Sequence, residues 1–188
     1  MMLNNQAYSY RYQGFTLIEL VVVIILISIL SVSVFSRFSG TSGFAEYTYQ
    51  ARLVSTLRNM QTRAMHDNRS NYCFQINLIT STATTNAAFG PPILDYITEA
   101  PGTADATCSN NIDFSTPDYL RTSATEMSDE NVSLSTEPSF NFIGFDGLGR
   151  PIDSGNNPTC DATCKITFTG ESAASVCIES QGYVHGCE

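Results

Sequence analysis

The chain has no tryptophan, only two histidines, and nine Lys and Arg residues against 18 Asp and Glu. A formal net charge of -9 argues against a general polyanion binder, because phosphate binding needs clustered basic side chains. Charged residues make up only 14% of the 188, where an ordinary soluble domain has roughly 25%. No G-x-S-x-G, H-E-x-x-H or P-loop motif occurs, so the familiar catalytic and nucleotide-binding patterns are missing. With 43% hydrophobic residues the chain is neither intrinsically disordered nor collagen-like. Long apolar runs are scarce as well: there is one, and it is the most informative segment.

That run is Phe15 to Phe35, 21 residues carrying a single charge, Glu19. As a helix it would reach roughly 32 Å, about one bilayer core. The leader before it, residues 1–14, holds one basic residue, Arg11, and no acid. A cleaved secretory signal would need small residues at the cleavage positions after the run, and Phe35-Ser36-Arg37-Phe38 fits that poorly. A plain signal anchor leaves Glu19 unexplained, since an acid inside a span costs roughly 2.5–3.5 kcal/mol even on lenient scales. An intramembrane carboxylate therefore asks for a partner.

Gly14-Phe15-Thr16-Leu17-Ile18-Glu19, followed directly by the unbroken apolar stretch, resembles the processing motif of type IV prepilins and pseudopilins. The resemblance implies that a prepilin peptidase cuts between Gly14 and Phe15 and methylates the new amino terminus at Phe15. It implies that Glu19 pairs with the amino terminus of a neighbouring subunit during assembly. The partners so implied are the peptidase, other major and minor pilins and the inner membrane. The implied location is a bacterial inner membrane, crossed once with a periplasmic head, and then a pilus or pseudopilus. Many family members carry a kinking proline near the end of the run, where this chain has Ser36. Any kink then falls to Ser39-Gly40-Thr41-Ser42-Gly43.

Helical spacing resumes after the glycines, with Phe44, Tyr47, Ala51, Val54, Leu57 and Met60 on one face and Ser55, Asn59, Thr62 and His66 on another. One interrupted helix is expected from about Phe15 to Met65. Beyond Ser70 the period becomes two. Tyr72, Phe74, Ile76 and Leu78 alternate with Cys73, Gln75 and Asn77 as a strand. Ser81–Ala88 reads as an exposed loop, Ile93–Thr98 as a second strand and Pro101–Asn111 as loop. Val132–Leu134, Phe140–Phe142, Ile166 with Phe168, Val176 with Ile178, and Tyr183-Val184 read as further short strands. The fold class is α+β, a long N-terminal helix packed on an antiparallel β-sheet head. The organisation expected is a leader at 1–14, a membrane or filament-core helix at 15–36, a head-packing helix half at 37–69 and a β-rich head at 70–188.

Residues 70–188 hold 15 acids against Arg121, Arg150 and Lys165, so the head is acidic and no nucleic acid partner is expected. Within it, Phe145-Asp146-Gly147-Leu148-Gly149-Arg150-Pro151 reads as a hairpin turn. A calcium loop would need acids or amides where Leu148 and Arg150 stand. The stretch also resembles the F-D-x-x-G-R-P turn of GspH/FimT-type minor pilins. Gly170 to Cys187 resembles the last hairpin of minor pilins encoded with mannose-sensitive haemagglutinin (MSHA) pili.

Cys73, Cys108, Cys160, Cys164, Cys177 and Cys187 all follow the apolar run, in the compartment where disulfides form. Six cysteines allow 15 pairings. One of these closes the short loop Cys160–Cys164, staples the terminal hairpin through Cys177–Cys187 and leaves Cys73 with Cys108. A structural zinc site would want paired knuckles of cysteines two to four residues apart, or histidines, and only one short cysteine pair exists. His66 lies at a helix end, and His185 sits two residues from Cys187. Alternate strand residues on one face explain that spacing without catalysis. No cofactor, metal or enzymatic activity is expected.

Overall fold

The computed structural model describes residues 15–38, 42–67, 72–93 and 108–187, and within these the side chains of all but 32–38 and 42. The leader with Gly14, the kink residues Ser39–Thr41, residues 94–98 of the second expected strand and residues 101–107 of the expected loop lie outside the described residues. The chain divides into two units, residues 1–40 and 41–188.

In the first unit, helix α1 runs over Leu17–Phe38. In the second, a 3-10 turn at Ser42–Phe44 leads into helix α2, Ala45–His66. Helix α2 contains no proline or glycine and is rich in Ala, Leu, Arg, Met and Gln, all good helix formers. Its buried apolar stripe is Tyr49, Leu53, Leu57, Met60 and Ala64. This corrects the expected face at its N-terminal end: Phe44 is 70% and Tyr47 51% exposed. Rotation about the helix axis is decided by polar groups that periodicity does not weigh. Tyr49 turns inward because its hydroxyl donates to the Glu126 carbonyl at 3.0 Å. Glu46 turns inward because its carboxylate accepts the Ser172 N–H at 2.9 Å.

Helix α2 packs on two four-stranded antiparallel sheets. The strands are β1 (Gln75–Ile79), β2 (Ala88–Gly90), β3 (Ser133–Glu137), β4 (Phe142–Phe145), β5 (Pro151–Ile152), β6 (Thr163–Thr169), β7 (Ala173–Glu179) and β8 (Val184–Cys187). One sheet has the order β2-β1-β4-β5 and the other β3-β6-β7-β8. The core lies between α2 and the inward residues of both sheets, among them Ile76, Phe89, Ile143, Leu134, Phe168, Val176 and Ile178. The architecture is α+β.

Three expectations about the strands need correction. A strand forms at Ala88–Gly90, β2, and begins inside the segment read as an exposed loop; of the strand expected at Ile93–Thr98 only Ile93 is among the described residues, and it lies outside any strand. Ala87 and Ala88 are buried there, Ala88 pairing with Ile79 of β1. Strand β1 is buried on both faces rather than one. Gln75 and Asn77 are sealed by Ser109–Asn111, whose carbonyls accept from the two carboxamides. Phe140 and Asn141 precede the strand that Phe142 opens. A short helix α3, Ala124–Asp129, was not foreseen, although Ser123 and Glu126 form a capping box that the sequence shows as S-x-x-E.

Candidate functional site

In α1 the described side chains from Phe15 to Ser31 are all exposed, and all but a few are apolar. A helix that is apolar around its whole circumference is stable only when something apolar surrounds it. Its two described serines expose little polarity. Ser28 Oγ donates to the Ile24 carbonyl at 2.7 Å, and Ser31 Oγ to the Ser28 carbonyl at 2.9 Å. Among the described residues no helix is long and apolar enough to cross a membrane.

Glu19 sits in the first turn of α1, where the helix dipole favours a carboxylate. Thr16 Oγ1 accepts the Glu19 N–H at 3.3 Å, and the Thr16 N–H points back to Glu19 Oε2 at 3.5 Å. This is the reciprocal arrangement of a capping box, written in the sequence as T-L-I-E and missed there. The carboxylate thus turns back to Thr16 at the helix start. Phe15 is 80% exposed. Gly14 lies outside the described residues.

The Asp146–Pro151 segment forms the turn between β4 and β5. Asp146 Oδ1 accepts the N–H groups of Leu148 and Arg150 at 2.9 and 2.8 Å. Asp146 Oδ2 takes the Arg150 guanidinium through Nε at 2.8 Å and Nη2 at 2.7 Å. Burial raises the Asp146 carboxyl, but the Arg150 N–H, the guanidinium and the Leu148 N–H outweigh it and hold the pKa below the ordinary 3.8. Gly147 is exposed with open space at its α-carbon, whereas Gly149 has φ +79°, a conformation only glycine adopts readily. The same is true of Gly182, at φ +88° in the β7–β8 turn. A side chain at Gly182 would run into the Gly149 carbonyl.

These two turns meet at one residue of α2. Gln61 Nε2 donates to the carbonyls of both Gly149 and Gly182, each at 2.7 Å. The turn motif therefore binds a helix, and it leaves no acids or amides free for a cation. Farther along α2, Arg58 donates twice to the Val184 carbonyl, at 3.2 and 2.8 Å. Arg52 pairs with Glu126 at 3.1 Å. At the other end Glu46 is fully buried. Burial raises its carboxyl, yet the N–H and hydroxyl of Ser172 and nearby backbone N–H groups pull the net pKa below the ordinary 4.5. Its Oε2 has no hydrogen-bond partner among the described residues. Neither Gln61 nor Glu46 was foreseen, because a polar residue on a helix reads as solvent-facing until its strand partners are known.

The six cysteines form three disulfides, Cys73–Cys108, Cys160–Cys164 and Cys177–Cys187. His185 stacks on Tyr183 with ring centroids 4.6 Å apart, and its Nε2 lies 3.3 Å from Glu179 Oε1. Cys187 is locked in its disulfide, so no thiol nucleophile stands beside that histidine. Among the described residues no group of three or more His, Cys, Asp or Glu side chains is placed to hold a metal ion.

Residues 10–35 match the family described as the prokaryotic N-terminal methylation motif. No curated protein matches the chain. The crystal structure of the type IV minor pilin FimU from Pseudomonas aeruginosa (strain PAO1) is similar at 7% identity and a TM-score of 0.40. That alignment covers 76% of this chain and 92% of FimU.

Proposed function

We propose that the chain is a minor pilin or pseudopilin, a structural subunit of a type IV or type II secretion-like filament and not an enzyme. The observation that carries this reading is helix α1, apolar on every side and headed by one capped carboxylate, under a matched methylation motif. A prepilin peptidase cuts between Gly14 and Phe15, and Phe15 receives the methyl group. The apolar run, which the sequence continues to Phe35, holds the precursor in the inner membrane and later packs among the helices of other pilins. Glu19, turned back to Thr16, registers each subunit against its neighbour's positive terminus. The Gly170–Cys187 hairpin, which resembles that of the MSHA minor pilin MshC, favours an MSHA-type filament.

The head's chemistry supports assembly over DNA capture. Two of the arginines on α2 that could have formed a basic stripe are committed: Arg52 to Glu126, and Arg58 to the Val184 carbonyl. The test is Glu19→Ala in cells that make the filament. Cleavage and membrane insertion are expected to persist while incorporation into filaments falls. Normal incorporation would remove Glu19 from the assembly step.

A further inference from the structure

The outward face of α2 is unlike the surface of an acidic head. Phe44, at its N-cap, is 70% exposed, and Tyr47, in its first turn, is 51% exposed. Thr48, Ala51 and Ser55 continue the same face, all exposed and all uncharged. The solvent side of a surface helix is ordinarily charged or polar. Two aromatic rings standing out beside small side chains call for a cover.

Charge narrows what that cover can be. Glu46 is the one acid in α2, and it is fully buried, turned to the Ser172 N–H. No carboxylate therefore faces outward from α2, although residues 70–188 hold 15 acids. The exposed charges of the helix are Arg58 and Arg63, both positive and both farther along. A face freed of acids suits a partner that is itself anionic. Hydroxyl polarity is reduced as well, since Thr48 Oγ1 donates to the Phe44 carbonyl at 3.0 Å. Tyr47 joins an apolar ring to a polar hydroxyl, the combination that collects where a membrane meets water.

Chain position supplies the partner. Phe44 follows Phe35, the last residue of the apolar run, by nine residues, a length that reaches about 30 Å even fully extended. With that run across a bilayer, the surface within reach of Phe44 is the periplasmic leaflet. Phe44 and Tyr47 are separated by a rise of about 4.5 Å, so both fit in one headgroup layer, which is about 5–8 Å deep. Glu171 limits the depth. It is exposed in the β6–β7 turn, its Oε2 3.8 Å from where a side chain at Gly43 would begin, and an unpaired carboxylate stays out of the acyl chains.

We propose that Phe44 and Tyr47 form an interfacial anchor, which lays the start of α2 on the phospholipid headgroups of the inner membrane before the subunit enters a filament. The inference rests on reading Phe15–Phe35 as a membrane span. The chain has no tryptophan, so single replacements report one position at a time. Phe44→Trp, Tyr47→Trp and Leu148→Trp all fall at exposed positions. Leu148 is the reference: its turn is held by Gln61, 17 residues and about 25 Å along α2 from Phe44. Each full chain is put into vesicles of phosphatidylethanolamine and phosphatidylglycerol, and flotation reads its insertion. The Phe44→Trp and Tyr47→Trp chains are expected to emit at shorter wavelength than Leu148→Trp. They are expected to be quenched about twofold or more by lipid brominated near the headgroup, and less by lipid brominated deep in the acyl chains. Chains that float but show the same emission and quenching at all three positions would overturn the anchor and leave the span intact. A blue-shifted signal that brominated lipid does not quench would also overturn it, because a protein surface would then cover the rings. Chains that fail to float would overturn the span and the anchor together.

Discussion

Replacing Gln61 with Met keeps the length of the side chain but deletes the amide that serves two turns at once. Gln61 Nε2 is the donor to the Gly149 and Gly182 carbonyls, both at 2.7 Å, and both glycines are buried. A buried acceptor left unpaired costs about 1–3 kcal/mol, so losing two predicts about 2–4 kcal/mol after partial rescue by water. Both glycines are held at positive φ by their turns, and neither carbonyl can swing away without disturbing the other. A domain of this size shifts its melting temperature by about 2–4 °C per kcal/mol, which gives a loss of about 4–16 °C. The assay is thermal unfolding of the full chain by near-UV circular dichroism, with Asn59→Ala on the exposed side of α2 as the neutral control. A melting temperature for Gln61→Met within about 1 °C of the parent would refute the idea that this glutamine clamps the two turns to the helix.

Glu46→Ala should destabilise the head by about 2–4 kcal/mol, because it strips the acceptor from the Ser172 N–H and leaves a void at a fully buried position. Glu46→Gln should lose less, and denaturant midpoints of the two variants would check the order. The depressed carboxyls of Glu46 and Asp146 fix the sign of the acid response: each adds stability above its unfolded pKa, near 4.5 and 3.8, and loses it as pH falls through the lower folded value. Melting temperature should therefore fall as pH drops below about 4.5, less so in Asp146→Asn, and a flat profile down to pH 3 would contradict it. Thiol labelling of denatured, unreduced protein should count no free cysteine, and any stoichiometric labelling would count against the three disulfides.

The class of the fold was legible because two periodicities change over at Ser70, from three and four to two. The terminal strands were equally plain: Ile166 and Phe168 alternate with Lys165 and Thr167, Val176 and Ile178 stand two apart, and all four face the core. Other features depend on partners far away in the chain. Gln75 and Asn77 look solvent-facing until Ser109–Asn111 covers them across a separation of more than thirty residues. Strand β2 is only three residues long, too short to show a period. The rotation of α2 turns on Tyr49 and Glu46, whose partners Glu126 and Ser172 lie 77 and 126 residues onward. At the first helix the reverse held, since Thr16 and Glu19 are three residues apart. Their capping box is local, and the sequence shows it to anyone who weighs T-x-x-E alongside the apolar run.

Processing at the head of α1 is where the functional reading stands or falls. The direct measurement is intact mass and N-terminal sequencing of the chain recovered from cells that contain a prepilin peptidase, beside a peptidase-deficient strain. The expected product starts at Phe15, holds 174 of the 188 residues, carries one methyl group on its amino terminus and is absent from the deficient strain. An uncut chain in both strains, or a mature terminus beyond Phe35, would contradict assignment to a pilin-like filament.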